Sequence, residues 1–229
     1  LLLASLVFYA WGEPVAIFLL LGMLLFNYAW GLHLAGVLKN RRRARSGMIF
    51  CVAINLGLLS FFLYGRTVLG SLYPAQNAGE TAGFGIEWLV PMGITFYTFH
   101  SLSYIIDVYR GNVKVQKNPA DLALYVLMFS KMPGGPIVRY IEMEKQLRAR
   151  QISSGKVGEG AMYFIRGLSK KVLFADNIGL LYDEVMALET GQMSVLSAWL
   201  GCIAFALKIY YNLSGYTDMA IGLGKMTGF

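Results

Sequence analysis

Apolar residues along the 229-residue chain gather into long runs joined by short polar or basic connections. A helix that crosses the ~30 Å hydrocarbon core of a bilayer needs roughly 20 predominantly apolar residues. Val15 to Leu38 meets that length, as do Gly47 to Tyr64 with its flanks and Met193 to Tyr211. Ile86 to Ile106 qualifies with several polar interruptions, and Ala161 to Tyr182 is long enough but carries charges. Leu1 to Ala10 is apolar but too short to cross. The pattern predicts an all-α, polytopic membrane helical bundle, with residues 1–229 forming a single membrane domain.

One stretch departs from this scheme. Leu122 to Met132 would make a helix of about 16 Å, half a bilayer. It runs into Met-Pro-Gly-Gly-Pro at 132–136, which interrupts any helix. Backbone freed at membrane depth is tolerated only against protein or a water-filled cavity. Basic residues flank the segment on both sides, so the pattern predicts a re-entrant, broken helix lining a cavity open to the cytoplasm. The alternative is an interfacial helix lying flat, followed by an ordinary turn. Glu142 to Glu159, mixed in sign, reads as a cytoplasmic surface segment.

Composition agrees with the pattern. Apolar residues make up 56% and charged residues 14%, where a globular chain carries roughly 25% charged. The net charge of +7 would fit nucleic acid only if the basic residues formed one face; they sit between apolar runs, so no nucleic-acid partner is expected. Most of the 20 basic residues fall in three regions: Lys39 to Arg45, Arg110 to Lys117, and Lys131 to Lys156. The alternate connections, 11–14, 65–85 and 183–192, hold only Arg66. That asymmetry places the first set in the cytoplasm and the acidic 183–192 loop outside. Cys51 and Cys202 lie inside apolar segments and read as small buried hydrophobes; no metal-type spacing exists. The chain opens without methionine and stops just after a polar cluster, so we expect an internal piece of a longer protein.

Polar residues inside apolar spans are expensive, which makes them the first candidates for function. Tyr97, His100, Tyr104 and Asp107 follow spacings of three, four and three, and so share one helical stripe. A His between phenols, ending at a carboxylate, suits a polar channel wall, and His moves protons near neutral pH. The competing reading is a buried His satisfied by interhelical hydrogen bonds. Arg166, Lys170 and Asn177 fall on one face, with Ser169 and Asp176 at its edge. That face suits phosphates or anionic lipid headgroups. Residues 211–218, Tyr-Asn-Leu-Ser-Gly-Tyr-Thr-Asp, pack hydrogen-bonding groups directly after a span, and Gly215 permits a kink there. No catalytic triad, metal cluster or phosphate-binding loop is present in the sequence.

Four blocks of this sequence, in order, resemble the membrane-bound O-acyltransferases, specifically the bacterial alginate O-acetylation (AlgI-like) branch. They are Pro91 to Gly111 (PMGITFYTFHSLSYIIDVYRG), Gly135 to Tyr140 (GPIVRY), Gly167 to Asp176 (GLSKKVLFAD) and Ser214 to Gly224 (SGYTDMAIGLG). The opening Leu-Leu-Ala-Ser-Leu-Val-Phe-Tyr-Ala-Trp-Gly-Glu-Pro is similar to that branch's early spans. The resemblance covers essentially the whole chain and matches the family's first half, less its first span.

The resemblance implies a multi-helix fold around a tunnel in the bacterial inner membrane, multi-pass. It implies an acyl-CoA donor, acetyl-CoA foremost, entering from the cytoplasm, with no bound cofactor and no metal. The acceptor would be hydroxyls of an exported polysaccharide or other envelope glycan, with a periplasmic acetyltransferase as a partner. The family's essential histidine lies beyond Phe229, so neither His33 nor His100 is expected to fill that role, and this piece alone is expected to be inactive. The half present would supply tunnel wall: Tyr97, His100, Tyr104, Asp107, Arg139, Tyr216 and Asp218. Two rival readings share the membrane pattern. One is half of a transporter or channel; the other is a non-catalytic scaffold for a periplasmic acetyltransferase.

Overall fold

The computed structural model describes residues 1–72, 90–132, 134–150, 152–188 and 193–229. Among these residues the chain is helical throughout, with no strand. It packs as two compact units, the first made of residues 1–133 and 137–148, the second of residues 134–136 and 149–229.

The first unit opens with α1 (Leu2–Gly12), which buries Ser5 and Tyr9, one turn apart. Glu13 and Pro14 end it, and α2 (Ala16–Val37) follows. This helix is apolar on nearly every side and buries the stripe Leu20, Met23, Leu24, Asn27, Gly31 and Leu34. Its partner, α3 (Arg41–Leu72), is held by polar contacts inside the apolar pair. Asn27 and Asn55 exchange side-chain hydrogen bonds at 3.0 Å in both directions, and Trp30 Nε1 donates to the Gly47 carbonyl at 2.9 Å. In a medium without water such bonds join helices that hydrophobicity alone would leave unpaired.

Helix α4 (Ile94–Arg110) starts after Gly93 and ends at Gly111, both left-handed at φ 72° and 74°. Gly93 is required twice over, because a Cβ there would stand 2.7 Å from the Met132 carbonyl oxygen. Helix α5 (Pro119–Leu127) has a complete start signal: Asn118 Oδ1 accepts from the Ala120 N–H at 3.0 Å, Pro119 sits in the first turn, and Asp121 follows. It ends after only nine residues. Residues 129–132 and 134 lie in turns, 135–139 have no regular structure, and α6 (Tyr140–Arg148) follows. The expected interruption of the 122–140 segment is therefore present, beginning at Met128.

The second unit is a pair of long antiparallel helical arms. The first arm runs from α7 (Ser154–Ser169) through a π-helix (Lys170–Asp176) into α8 (Asn177–Met186). The second is α9 (Val195–Met226). Ser153 and Ser194 cap α7 and α9 by accepting backbone N–H bonds. The arms meet backbone to backbone at Gly160 with Gly222 and at Gly167 with Gly215. A Cβ on Gly160 would lie 2.6 Å from the Gly222 carbonyl oxygen, and one on Gly167 2.5 Å from that of Gly215.

Gly215 is thus a point of contact and not a kink: α9 passes through it unbroken, and the polar cluster at 211–218 is helical. The π-helix changes the face that the first arm presents. Lys170 turns toward α9, Arg166 lies over the Tyr163 ring at 5.5 Å, and Asn177 donates to its own helix at the Val172 and Leu173 carbonyls. The wider turns carry Asn177 off the α-helical register that placed it on one face with Arg166 and Lys170, whose own spacing of four ends where the π-helix begins.

Among the described residues, three helical stretches are long and apolar enough to cross a membrane: Ala16–Val37, Arg41–Gly65 and Val195–Met226. Their outward surface is apolar, with Phe18 75% exposed and Trp199 65% exposed, as a lipid-facing surface is. Cys202 belongs to that surface and is exposed, whereas Cys51 is buried against Asn27 and Asn55. Residues 86–89 of the expected 86–106 span lie outside the described residues, and its helix begins at Ile94.

Candidate functional site

The polar stripe on α4 faces inward. Tyr97, His100, Tyr104 and Asp107 are each 1% exposed or less, while Phe99 on the opposite side is 38% exposed. Each stripe residue meets a different element of the first unit. Tyr104 lies against Gly31 of α2, where a Cβ would come within 2.8 Å of its ring and hydroxyl oxygen. Its hydroxyl accepts the Gln116 backbone N–H at 3.2 Å.

Below it, Asp107 Oδ1 accepts from Arg139 Nη2 at 2.7 Å and from Asn112 Nδ2 at 3.2 Å. The carboxylate is buried and the guanidinium is half-exposed, so the pair joins the packed interior to the rim. Two further bonds fix the backbone after the break. The Tyr140 N–H donates to Ser103 Oγ at 3.2 Å, and the Tyr125 hydroxyl donates to the Val138 carbonyl at 2.7 Å.

A cluster of aromatic rings fills the space between α4, α5 and α6. Tyr125 meets His100 edge-on at 5.3 Å and Tyr140 at 5.0 Å, and Tyr140 meets Tyr104 at 4.9 Å. These tilted arrangements set the positive ring edge against the negative face. Burial pushes the Tyr140 phenol up to about 12, so it remains a neutral hydroxyl that accepts from Gln116 Nε2 at 3.2 Å.

Among the described residues, the buried hydroxyls of Thr98 and Ser130 and one carboxylate oxygen of Asp107 in this unit have no hydrogen-bond partner. Among the described residues every such orphan belongs to the first unit. Buried polar groups in folded proteins are nearly always paired, so this concentration marks α4 and its surroundings as a place built for something besides packing.

The structure brings five of the expected wall residues together in the first unit: Tyr97, His100, Tyr104, Asp107 and Arg139. Tyr216 and Asp218 belong to the second unit. There Lys170 Nζ donates to Asp218 Oδ2 at 2.7 Å and to Ser214 Oγ at 2.9 Å. Tyr216, 39% exposed, stands beside Gly134 of the Pro-Gly-Gly-Pro turn, whose Cβ would be 3.6 Å from its own.

Sequence reasoning missed Tyr125, Tyr140 and Gln116, which reach the stripe from other elements. It also read Lys131 as a surface charge, whereas the residue is 5% exposed. A lysine just before a Pro-Gly break, at the end of an apolar run, was the available signal. No group of three His, Cys, Asp or Glu able to hold a metal ion occurs among the described residues.

Apolar helices long enough to cross a bilayer, with a polar and aromatic interior behind them, define an α-helical membrane protein. No protein-family profile matches the chain. Whole-chain comparison does find relatives. The chain is 38% identical over its full length to the probable alginate O-acetylase AlgI of Pseudomonas aeruginosa, covering 44% of that protein. It is 30% identical over 98% of its length to the peptidoglycan O-acetyltransferase of Helicobacter pylori, covering 47% of it. It is 23% identical over 91% of its length to the teichoic acid D-alanyltransferase of Bacillus subtilis, covering 52% of that protein. The chain is thus similar over its whole length to alginate and peptidoglycan O-acetylating proteins, and it spans about half the length of the curated relatives it matches.

Proposed function

We propose that the protein containing this chain is a membrane-embedded O-acyltransferase that modifies hydroxyls of an exported polysaccharide or other cell-envelope glycan. The observation that carries this reading is the match over the whole chain to alginate and peptidoglycan O-acetylating proteins. The donor we infer is acyl-CoA, acetyl-CoA foremost, arriving at the cytoplasmic side of a multi-pass inner-membrane protein. The basic connections at Lys39 to Arg45 and Arg110 to Lys117 support that orientation.

In the reaction an acceptor hydroxyl oxygen attacks the thioester carbonyl carbon, the carbon–sulfur bond breaks, and the thiolate leaves and takes up the hydroxyl's proton. General-base help is worth about 10²–10⁴-fold, and donors aimed at the developing oxyanion add to it. The base is expected beyond Phe229. Within the first unit, Tyr97, His100, Tyr104 and Asp107 from α4 and Arg139 after the break would wall a path for substrate; within the second, Tyr216 and Asp218 from α9 are the candidates to contact it. Unpaired buried polar atoms along α4 support a polar interior there. A periplasmic acetyltransferase that hands the group onward fits the same scheme.

The test is substitution in the full-length parent with protein level held constant. Arg139→Ala and Tyr216→Phe should each lower glycan acylation at least tenfold. Unchanged acylation in both variants would remove these residues from the path.

A further inference from the structure

Among the described residues, three ion pairs tie the two arms of the second unit together: Asp183 with Lys208, Glu159 with Lys225, and Lys170 with Asp218. The first two are surface links, since their carboxylate side chains are 64% and 55% exposed. The third is set into the packing, with the Asp218 side chain 17% exposed. Helix α9 is long and apolar enough to cross a bilayer, and charges within such a helix are costly and mark polar sites.

The backbone explains how these groups meet. Gly167 and Gly215 bring the arms into contact, Lys170 follows Gly167 by three residues, and Ser214 and Asp218 lie on either side of Gly215. Lys170 Nζ then donates to Asp218 Oδ2 at 2.7 Å and to Ser214 Oγ at 2.9 Å. The next lysine is used differently: Lys171 Nζ bonds both carboxylate oxygens of Asp176, on its own arm, at 3.1 Å. One ammonium thus fixes a carboxylate oxygen and a hydroxyl oxygen one turn apart on α9. Among the described residues, Asp218 Oδ1 accepts no bond and the Ser214 hydroxyl donates none. An acceptor and a donor are left open side by side, held by a shared cation. That arrangement suits a group with both an N–H or O–H and an oxygen acceptor, as an amide of the donor's thiol arm or a sugar hydroxyl has.

We propose that Lys170 is a positioning residue for acyl transfer: it holds Asp218 and Ser214 so that the open carboxylate oxygen and the hydroxyl bind a polar group of the substrate. The inference rests on the acyltransferase reading and on Asp218 as a substrate contact within it.

The test uses the full-length parent in membrane vesicles with labelled acetyl-CoA, protein level held constant. Lys170→Met should lower acylation about tenfold or more, and Lys170→Arg should keep most of it. In Lys170→Met a raised KM for acetyl-CoA assigns the bound group to the donor, and a raised KM for the polymer assigns it to the acceptor; both support the role. The exchanged pair, Lys170→Asp with Asp218→Lys, keeps the link between the arms but moves the carboxylate to the other arm. It should regain the unfolding midpoint lost in Lys170→Met while acylation stays low. Acylation recovered by the exchanged pair, or undiminished in Lys170→Met, would overturn the proposal, because the pair would then only join the arms. Where the exchanged pair does not accumulate, Asp218→Asn decides, since its amide oxygen still accepts from Lys170: full acylation refutes the role, and a tenfold loss at normal protein level supports it. Absence of acylation in the unsubstituted parent would instead remove the acyltransferase reading, and this inference with it.

Discussion

At the scale of single residues, the first unit depends on a few contacts that tolerate little change. Asp107 is buried and, among the described residues, forms its ion pair with Arg139. Arg139→Ala would leave the carboxylate with the neutral Asn112 amide alone, and because the guanidinium is half-exposed the loss should be modest, roughly 1–3 kcal/mol. Thermal unfolding of the full-length parent should show a lowered midpoint, and Asp107→Asn in the same background should recover part of it, since it removes the uncompensated charge. No recovery in the double variant would mean that the two side chains are not coupled. Gly31 offers a second check. Gly31→Ala would drive a methyl into Tyr104, an overpacking expected to cost about 1–3 kcal/mol. Combining it with Tyr104→Leu should relieve the clash, measured in the same unfolding assay.

These residues also show how far a candidate site can be read in advance. Tyr97, His100, Tyr104 and Asp107 were legible because they lie on one helix, where spacings of three and four fix a common face. Tyr125, Lys131 and Tyr140 were not, because they reach the stripe from other elements and no local period records that meeting. Arg139 was marked only through its place after the Pro-Gly break, and Asp107 as its partner emerges from the fold alone.

At the scale of elements, boundaries were harder to read than existence. The short helix expected over Leu122 to Met132 is Pro119–Leu127, its start set by the capping chemistry of Asn118-Pro119-Ala120-Asp121. The π-helix had no such mark, and it changes the turn count that placed Asn177 with Arg166 and Lys170. Nor did Gly215, read as a kink, show that its missing side chain serves the approach of another helix's backbone. Two predictions follow from the packing of the second unit. Gly167→Ala places a methyl 2.5 Å from the Gly215 carbonyl oxygen, whereas Gly179→Ala meets only the Lys208 side chain at 3.2 Å, which can move. The first should lose most of the folded protein in size-exclusion chromatography and the second should not. Deleting one residue within Lys170–Asp176 should restore α-helical turns while leaving α8 close to its present phase against α7, because the wider turns already absorb about one extra residue. The Tyr182–Phe205 contact at 5.2 Å should then survive and the folded protein persist, unlike Gly167→Ala, in the same chromatographic assay.

At the scale of the whole molecule, the account is about sidedness and chemistry. With Cys51 and Cys202 replaced, single cysteines at Lys39 and Lys114 should resist a membrane-impermeant thiol reagent in intact cells, while one at Asp183 should react. Reversal of that pattern would invert the topology drawn from the basic connections. The most direct test of the central claim follows the acyl group itself. Inside-out membrane vesicles bearing the full-length parent and its polymer would be given acetyl-CoA labelled in the acetyl group, and base-labile label in the polymer would be counted. The account predicts incorporation that depends on the parent protein and falls with Arg139→Ala. Label that enters the polymer equally well without the parent protein, or only in right-side-out vesicles, would contradict it.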